Sequence, residues 1–291
     1  MKPFSKVAVI GAGAFGTAMA KAAGSSGKNT VKMWARDREI VNSINHNHSN
    51  PKFCPHIKLP ETITATTHAE EALKDADMVM GCLPTQVIPK FLEEHRHIFP
   101  LGSPFVSCSK GMIISKEKFL SEEVEDVFGQ GKLRYCILSG PSFAQEILED
   151  NPTIVVIASK DAQAAKYAQE KLSYRYFRVY THDDVIGVEI AGALKNILAI
   201  GAGIIEGSGY GINTTSAFIA RGTKELYKFA KYYNANPQTL FGLSGIGDIM
   251  LTSFGKLSRN RTFGYRLGKG EKIHDILKTS AGVVEGYSTL E

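Results

Sequence analysis

VIGVEIAGALKNILAIGAGII, residues 185–205, is the stretch on which the reading of this chain turns. It is long enough to cross a bilayer, has no proline, and carries Glu189 and Lys195 inside an otherwise small and apolar run. Two charges near the middle of a spanning helix cost about 2.5–3.5 kcal/mol each, and no other segment is long and apolar enough to partner it in a membrane. The stretch therefore reads as a buried helix of a soluble protein, with no membrane span. Its many Gly and Ala positions admit close approach of neighbouring backbones. Lys195 has to point at water, a counter-charge or a substrate, either as a functional amine or as a lysine snorkelling to the surface.

Upstream of this helix the chain alternates between strand and helix patterns. Val7–Ile10 is a short apolar run that enters Gly11-Ala-Gly-Ala-Phe-Gly16 and then an Ala-rich helix to about Ser26. In a strand–turn–helix unit of this kind Gly11 permits the tight turn and Gly13 lets backbone approach a pyrophosphate. Gly16 lets helix and strand pack closely, and the helix N-terminus attracts phosphate. Dinucleotide binding is the reading, against a plain tight turn. The second strand, Thr30 to Ala35, ends beside Arg36 and Asp37. An acidic residue at that point binds the ribose of NAD, whereas a guanidinium suits the 2′-phosphate of NADP. The cofactor is read as NAD or NADP, with Arg36 leaning toward NADP, Asp37 as a competitor for the ribose, and a solvated Arg–Asp pair as the alternative.

Residues 45–67 are polar and rich in Pro and His, a long excursion with one short strand. No carboxylate or thiol completes a convincing ligand set with His46, His48 and His56, so no metal is expected. Alternation resumes through Met78–Cys82, a helix from about Gln86 to His97, the strand Phe105–Ser109 and the strand Tyr135–Ser139. Lys110 follows at a strand end, facing the ligand crevice or simply exposed. Gly140-Pro-Ser-Phe-Ala144 opens a helix whose free N–H groups suit an anion. From Asp184 onward only helices are expected, so the boundary falls near Thr181–Asp184. In the second part, a glycine-rich approach leads to Asp248. Lys256–Lys272 is strongly basic, which fits one phosphate site at Arg259 and Asn260 better than a nucleic-acid patch, since Phe263 and Tyr265 are its only interleaved aromatics; a merely solvated basic face is the alternative.

Composition agrees with these readings. A chain of 291 residues forms two domains or one large one, and a net charge of +5 does not argue for nucleic acid. The four cysteines lack CxxC spacing, and Cys82 and Cys108 fall in runs read as buried strands. Reduced thiols in a cytoplasmic setting are expected. With the first strand read as starting within a few residues of Met1, no signal peptide is expected in the sequence as given.

The separate motifs resemble one family. Gly-Ala-Gly-Ala-Phe-Gly-Thr-Ala at 11–18, Ser-Lys-Gly at 109–111, Ser-Gly-Pro-Ser-Phe-Ala at 139–144, Leu-Lys-Asn at 194–196, Gly-Ile-Gly-Asp at 245–248, Ser-Arg-Asn at 258–260 and Val-Val-Glu-Gly-Tyr at 283–287 together are similar to NAD(P)-dependent glycerol-3-phosphate dehydrogenase of the bacterial type. The resemblance implies an α/β fold with a Rossmann-type dinucleotide-binding domain over 1–182. An all-helical substrate domain, similar to that of 6-phosphogluconate dehydrogenase, would occupy 183–291 and end early relative to the family. It implies dinucleotide contacts at Ala14, Phe15, Arg36, Lys110, Ala144, Arg259, Val283 and Glu285, beside Gly11, Gly13 and Gly16. Substrate contacts are implied at Lys110, Gly140, Ser142, Lys195, Asp248, Ser258, Arg259 and Asn260. Lys195 would be the proton acceptor, with Lys110 lowering its pKa and Asp248 holding its amine. The implied partner is a small phosphorylated substrate, and the implied assembly a homodimer. Other readings on the same architecture are a ketopantoate reductase, a β-hydroxyacid dehydrogenase, or a catalytically silent dinucleotide-sensing module.

Overall fold

The computed structural model describes residues 4–280 and 282–290. Its first part is β1 (Ser5–Ile10), α1 (Ala14–Ser25), β2 (Asn29–Trp34), α2 (Arg38–Asn47), β3 (Ile63–Thr66), α3 (Ala69–Leu73), β4 (Met78–Gly81) and α4 (Ile88–His95). There follow β5 (Pro104–Ser107), α5 (Leu120–Phe128), β6 (Arg134–Ser139), α6 (Ala144–Leu148), β7 (Thr153–Ala158), α7 (Ala162–Leu172) and β8 (Phe177–His182). The eight strands make one sheet in the order β3-β2-β1-β4-β5-β6-β7-β8. Pairing is parallel from β3 through β6, β7 runs antiparallel to β6, and β8 is parallel to β7.

A strand whose two faces are both covered reads as an unbroken apolar run, and β1 shows why. Val7 and Val9 enter one core with residues of α1, α2 and α7, whereas Ala8 and Ile10 enter the opposite core with residues of α3, α4 and α5. Alternate side chains thus bind a helix layer to each face. Strand order reverses at β1, which pairs with both β2 and β4, and the crevice beyond the carboxyl ends at such a point is where open α/β sheets bind ligands.

The boundaries differ from the sequence reading in places. Pairing in β4 and β5 stops at Gly81 and Ser107, so Cys82 and Cys108 lie just past their strands, where the chain turns out over the carboxyl edge. The expected helix over 86–97 is broken into a 3₁₀ turn, α4 and a second 3₁₀ turn, with Pro89 in the first turn of α4, where its missing N–H is harmless. All four cysteines are free.

From residue 184 the described residues form helices and turns without a strand: α8 (Val185–Gly207), α9 (Ile212–Tyr232), α10 (Asp248–Phe254), α11 (Arg259–Gly268), α12 (Ile273–Thr279) and α13 (Glu285–Leu290). Among the described residues α8 alone is long and apolar enough to cross a membrane, and 72% of its most apolar window is buried inside the protein. Its small residues permit that burial. A Cβ on Gly203 would lie 2.1 Å from the Arg261 carbonyl oxygen, and one on Gly264 would lie 2.0 Å from that of Ile200. The backbones of α8 and α11 therefore touch. Glu189 on α8 is buried too, accepting from the Ser121 amide at 3.0 Å, the Ser121 hydroxyl at 2.5 Å and the Tyr135 hydroxyl at 2.8 Å. Ser121 and Tyr135 belong to α5 and β6, so this carboxylate fastens α8 to the sheet layer.

Candidate active site at the carboxyl edge of the sheet

Three segments far apart in sequence meet where the sheet and helices adjoin. Lys110 follows β5, and its aliphatic stem crosses α8 at Gly192, where a Cβ would sit 3.5 Å from Lys110 Cγ. Lys195 projects from the middle of α8 and is 6% exposed. Asp248 opens α10 after a π-type turn, Leu243–Gly247, that is kinked at Gly245, and it is 1% exposed. One Asp248 oxygen lies 2.6 Å from Lys195 Nζ and the other accepts from Lys110 Nζ at 2.9 Å. A carboxylate gripping two ammonium groups leaves one net positive charge in a dry setting. That charge attracts an oxygen becoming an alkoxide.

Thr252, one turn along α10, completes the grip on Lys195. Its hydroxyl accepts from Lys195 Nζ at 3.1 Å and donates to the Asp248 carbonyl at 2.7 Å. The sequence reading missed it, although a threonine four residues after the aspartate on a helix shares its face. With Asp248 and Thr252 as partners, one of the three ammonium hydrogens of Lys195 remains for a ligand.

Burial pushes the Lys195 amine down, Asp248 opposes this, and Lys110 pushes it down further, leaving its pKa at about 8. The sequence reading had Lys110 help to lower this pKa, and it does, but desolvation is the larger cause because α8 lies inside the protein. For Asp248, burial alone would raise the pKa, yet the Lys110 and Lys195 ammoniums outweigh it and hold the carboxyl below its usual range. Glu285 is raised by burial, partly offset by Arg259, Lys110 and Lys195, which places the start of α13 beside this cluster. Lys110, Val283 and Glu285 line one cavity together with Pro84, Thr85 and Gly111.

At the neighbouring strand end Gly140 has φ +131°, and its carbonyl accepts from Ser142 Oγ at 2.9 Å and faces Lys110 Nζ at 3.5 Å. Ala144 then begins α6, half-buried. Ser258 caps α11 by accepting from the Arg261 amide at 3.2 Å. Asn260 donates to Asn196 Oδ1 at 2.9 Å and accepts from the Gly286 amide at 3.0 Å, so its side chain joins α8, α11 and α13. It keeps one amide hydrogen to offer. Asn196, quoted within Leu-Lys-Asn and given no role there, is its anchor. Arg259 is exposed and passes over Gly282, whose Cβ would be 2.5 Å from Nη1. The basic run is partly neutralised, since Arg261 pairs with Glu206 and Arg266 with Glu271.

At the glycine turn, Gly11 has φ +109°, and a Cβ on Gly16 would fall 2.0 Å from the Gly11 carbonyl oxygen. A Cβ on Gly13 would meet nothing within 4 Å, and no side chain caps the N-terminus of α1. Open space over uncapped amides fits a pyrophosphate. Ala14 and Phe15 begin α1, both half-buried, with Phe15 packed on the core. Arg36 is exposed just past β2, on the carboxyl side of the sheet. One oxygen of the Asp37 carboxylate accepts from the Glu39 amide at 2.9 Å and caps α2. Among the described residues no three His, Cys, Asp or Glu side chains are grouped to hold a metal ion.

Residues 6–165 match the family model described as NAD-dependent glycerol-3-phosphate dehydrogenase N-terminus, and residues 184–291 match its C-terminus. The chain belongs to the NAD-dependent glycerol-3-phosphate dehydrogenase family. Glycerol-3-phosphate dehydrogenase [NAD(P)+] of Leptospira biflexa is 43% identical over 98% of this chain and 85% of its own. The chloroplastic glycerol-3-phosphate dehydrogenase [NAD(+)] 2 of Arabidopsis thaliana is 45% identical over 98% of this chain and 68% of its own. Among solved structures, glycerol-3-phosphate dehydrogenase of Coxiella burnetii superposes with a TM-score of 0.92 at 31% identity, covering 98% of this chain and 87% of that one. Membership accounts for the pairing of an α/β sheet with a helical second part, and the hydroxyacid, ketopantoate and silent-module readings are not favoured.

Proposed function

We propose that this chain interconverts sn-glycerol 3-phosphate and dihydroxyacetone phosphate with NAD or NADP, using Lys195 to move the proton. The observation that carries the proposal is the buried Lys110–Asp248–Lys195 cluster at the carboxyl edge, on the same side of the sheet as the glycine turn. The bound dinucleotide supplies the hydride acceptor in one direction and the donor in the other. Residues of the chain do the rest. In the reduction, charge develops on the ketone oxygen, and the Lys195 ammonium both stabilises it and yields a proton. In the oxidation, the neutral amine takes the hydroxyl proton. A pKa of about 8 keeps both forms accessible near neutrality. Asp248 and Thr252 hold the amine still, and Lys110 adds charge where substrate and dinucleotide meet.

The remaining assignments belong to the same proposal. Gly140, Ser142, Ser258, Arg259 and Asn260 contact the substrate, with its phosphate at the start of α11, where Arg259 and helix amides attract an anion and remote binding energy orients C2. Gly11, Gly13, Ala14, Phe15, Gly16, Ala144, Val283 and Glu285 serve the dinucleotide. Arg36 selects for a 2′-phosphate, supported by its exposure. Residues 1–182 form the dinucleotide domain and 183–291 the substrate domain, a division supported by the end of the sheet at His182. The working form is a cytoplasmic homodimer. The testing experiment follows NADH and NADPH oxidation with dihydroxyacetone phosphate, ketopantoate and a β-keto acid in parallel. Turnover of dihydroxyacetone phosphate alone supports the proposal, and turnover only of a carboxylate substrate defeats it.

A further inference from the structure

The excursion between α2 and β3 holds one residue that reaches the glycine turn. Asn50 is 0% exposed. Its side-chain amide donates to the Ala12 carbonyl at 3.0 Å and to the Thr17 hydroxyl at 2.8 Å. Thr17 in turn donates to the Gly13 carbonyl at 2.9 Å. The amide orientation is fixed by chemistry, because a carbonyl accepts only, so nitrogen must face Ala12. The Asn50 side-chain oxygen is left buried and without a partner, a penalty accepted at this position.

The consequence lies in the peptide plane. A trans peptide points its carbonyl and its N–H in opposite directions, and no cis bond occurs in the described backbone. Holding the Ala12 carbonyl inward aims the Gly13 N–H the opposite way, and the space that a Cβ on Gly13 would occupy beside it is open. The Gly13 carbonyl, held by Thr17, fixes the Ala14 N–H in the same way.

We propose that Asn50 is a positioning residue for dinucleotide binding, which aims the glycine-turn amides through Ala12 and Thr17. The proposal rests on the dinucleotide reading of this turn. Asn50 does not touch the Lys195 cluster, so its loss should appear in dinucleotide affinity and not in the proton step.

The test compares wild type, Asn50→Leu, Thr17→Val and the double variant in NADH-dependent reduction of dihydroxyacetone phosphate, with NADH binding read by fluorescence and folding by thermal melts. Asn50→Leu keeps the branched shape of the side chain and removes the donors. It should raise the KM and Kd for NADH about tenfold, the worth of one net hydrogen bond, while kcat and the KM for dihydroxyacetone phosphate stay within about twofold. Thr17→Val should raise the same constants less, and the double variant should fall short of the product of the two, because both act on one turn. A folded Asn50→Leu with wild-type NADH affinity, or with kcat lowered and affinity intact, overturns the proposal. If Asn50→Leu does not fold, unchanged NADH affinity in Thr17→Val overturns it. Failure of the wild type itself to bind either NADH or NADPH would instead overturn the functional reading.

Discussion

Asp248 sets the chemistry of the candidate site by lying between two ammonium groups. Lys195 needs to be charged to give a proton in the reduction, and its pKa of about 8 in the ligand-free chain places the alkaline limb of kcat/KM for dihydroxyacetone phosphate near pH 8. In the oxidation the same titration has the opposite sign, and kcat/KM for glycerol 3-phosphate should rise through that pH. Asp248 is the largest influence raising the Lys195 pKa, ahead of Glu285, so Asp248→Asn should move both limbs to lower pH. It should also destabilise the fold by about 3–5 kcal/mol, as the loss of one partner leaves buried charge uncompensated. Initial rates across pH 6–10 and urea titrations check both parts, and limbs unmoved in Asp248→Asn would contradict the assignment. Lys195 and Asp248 were legible in the sequence because a charge in an apolar helix, and a carboxylate after a run of glycines, each call for an explanation. Thr252 and Asn50 were not, because a threonine in a helix and an asparagine in a polar loop have ordinary solvated alternatives.

At the scale of elements, α8 carries the site and is held by backbone contact with α11. Gly264→Ala would place its Cβ 2.0 Å from the Ile200 carbonyl oxygen, a backbone atom without freedom to retreat. The expected loss of stability is at least the ~1–3 kcal/mol typical of overpacking, read by urea unfolding, and an Ala variant as stable as wild type would show that α8 and α11 are not in backbone contact. The small residues of α8 announced this packing in the sequence, although which helix would approach was not legible from one segment alone. The strands β1, β2, β4, β5 and β6 were readable to within two residues, because buried parallel strands are continuous apolar runs. The breaks in 86–97 and the kinked turn at Gly245 were not.

For the whole molecule, the attachment of α8 to the sheet layer depends on a buried carboxylate. Burial pushes the Glu189 pKa from 4.5 up to about 7, against the hydrogen bonds from Ser121 and Tyr135 and with a further push from the nearby Glu122 charge. Between those two values the folded chain keeps a proton that the unfolded chain has lost. Stability therefore falls as pH rises through that window, and Glu189→Gln should flatten this part of the profile. Thermal melts from pH 4.5 to 7.5 on both proteins check it, and identical slopes would contradict it. Glu189 stood out in the sequence as a charge in an apolar run, yet its partners lie 68 and 54 residues away, beyond the reach of any local pattern. The central claim is that this assembly turns over dihydroxyacetone phosphate with Lys195 as the proton donor. Its most direct test is kcat for NADH-dependent reduction by Lys195→Ala beside wild type, on protein shown to be folded and to bind NADH. The account predicts a fall of about 10²–10⁴-fold in kcat with NADH binding retained. A folded Lys195→Ala that keeps wild-type kcat from pH 6 to 9 would contradict it.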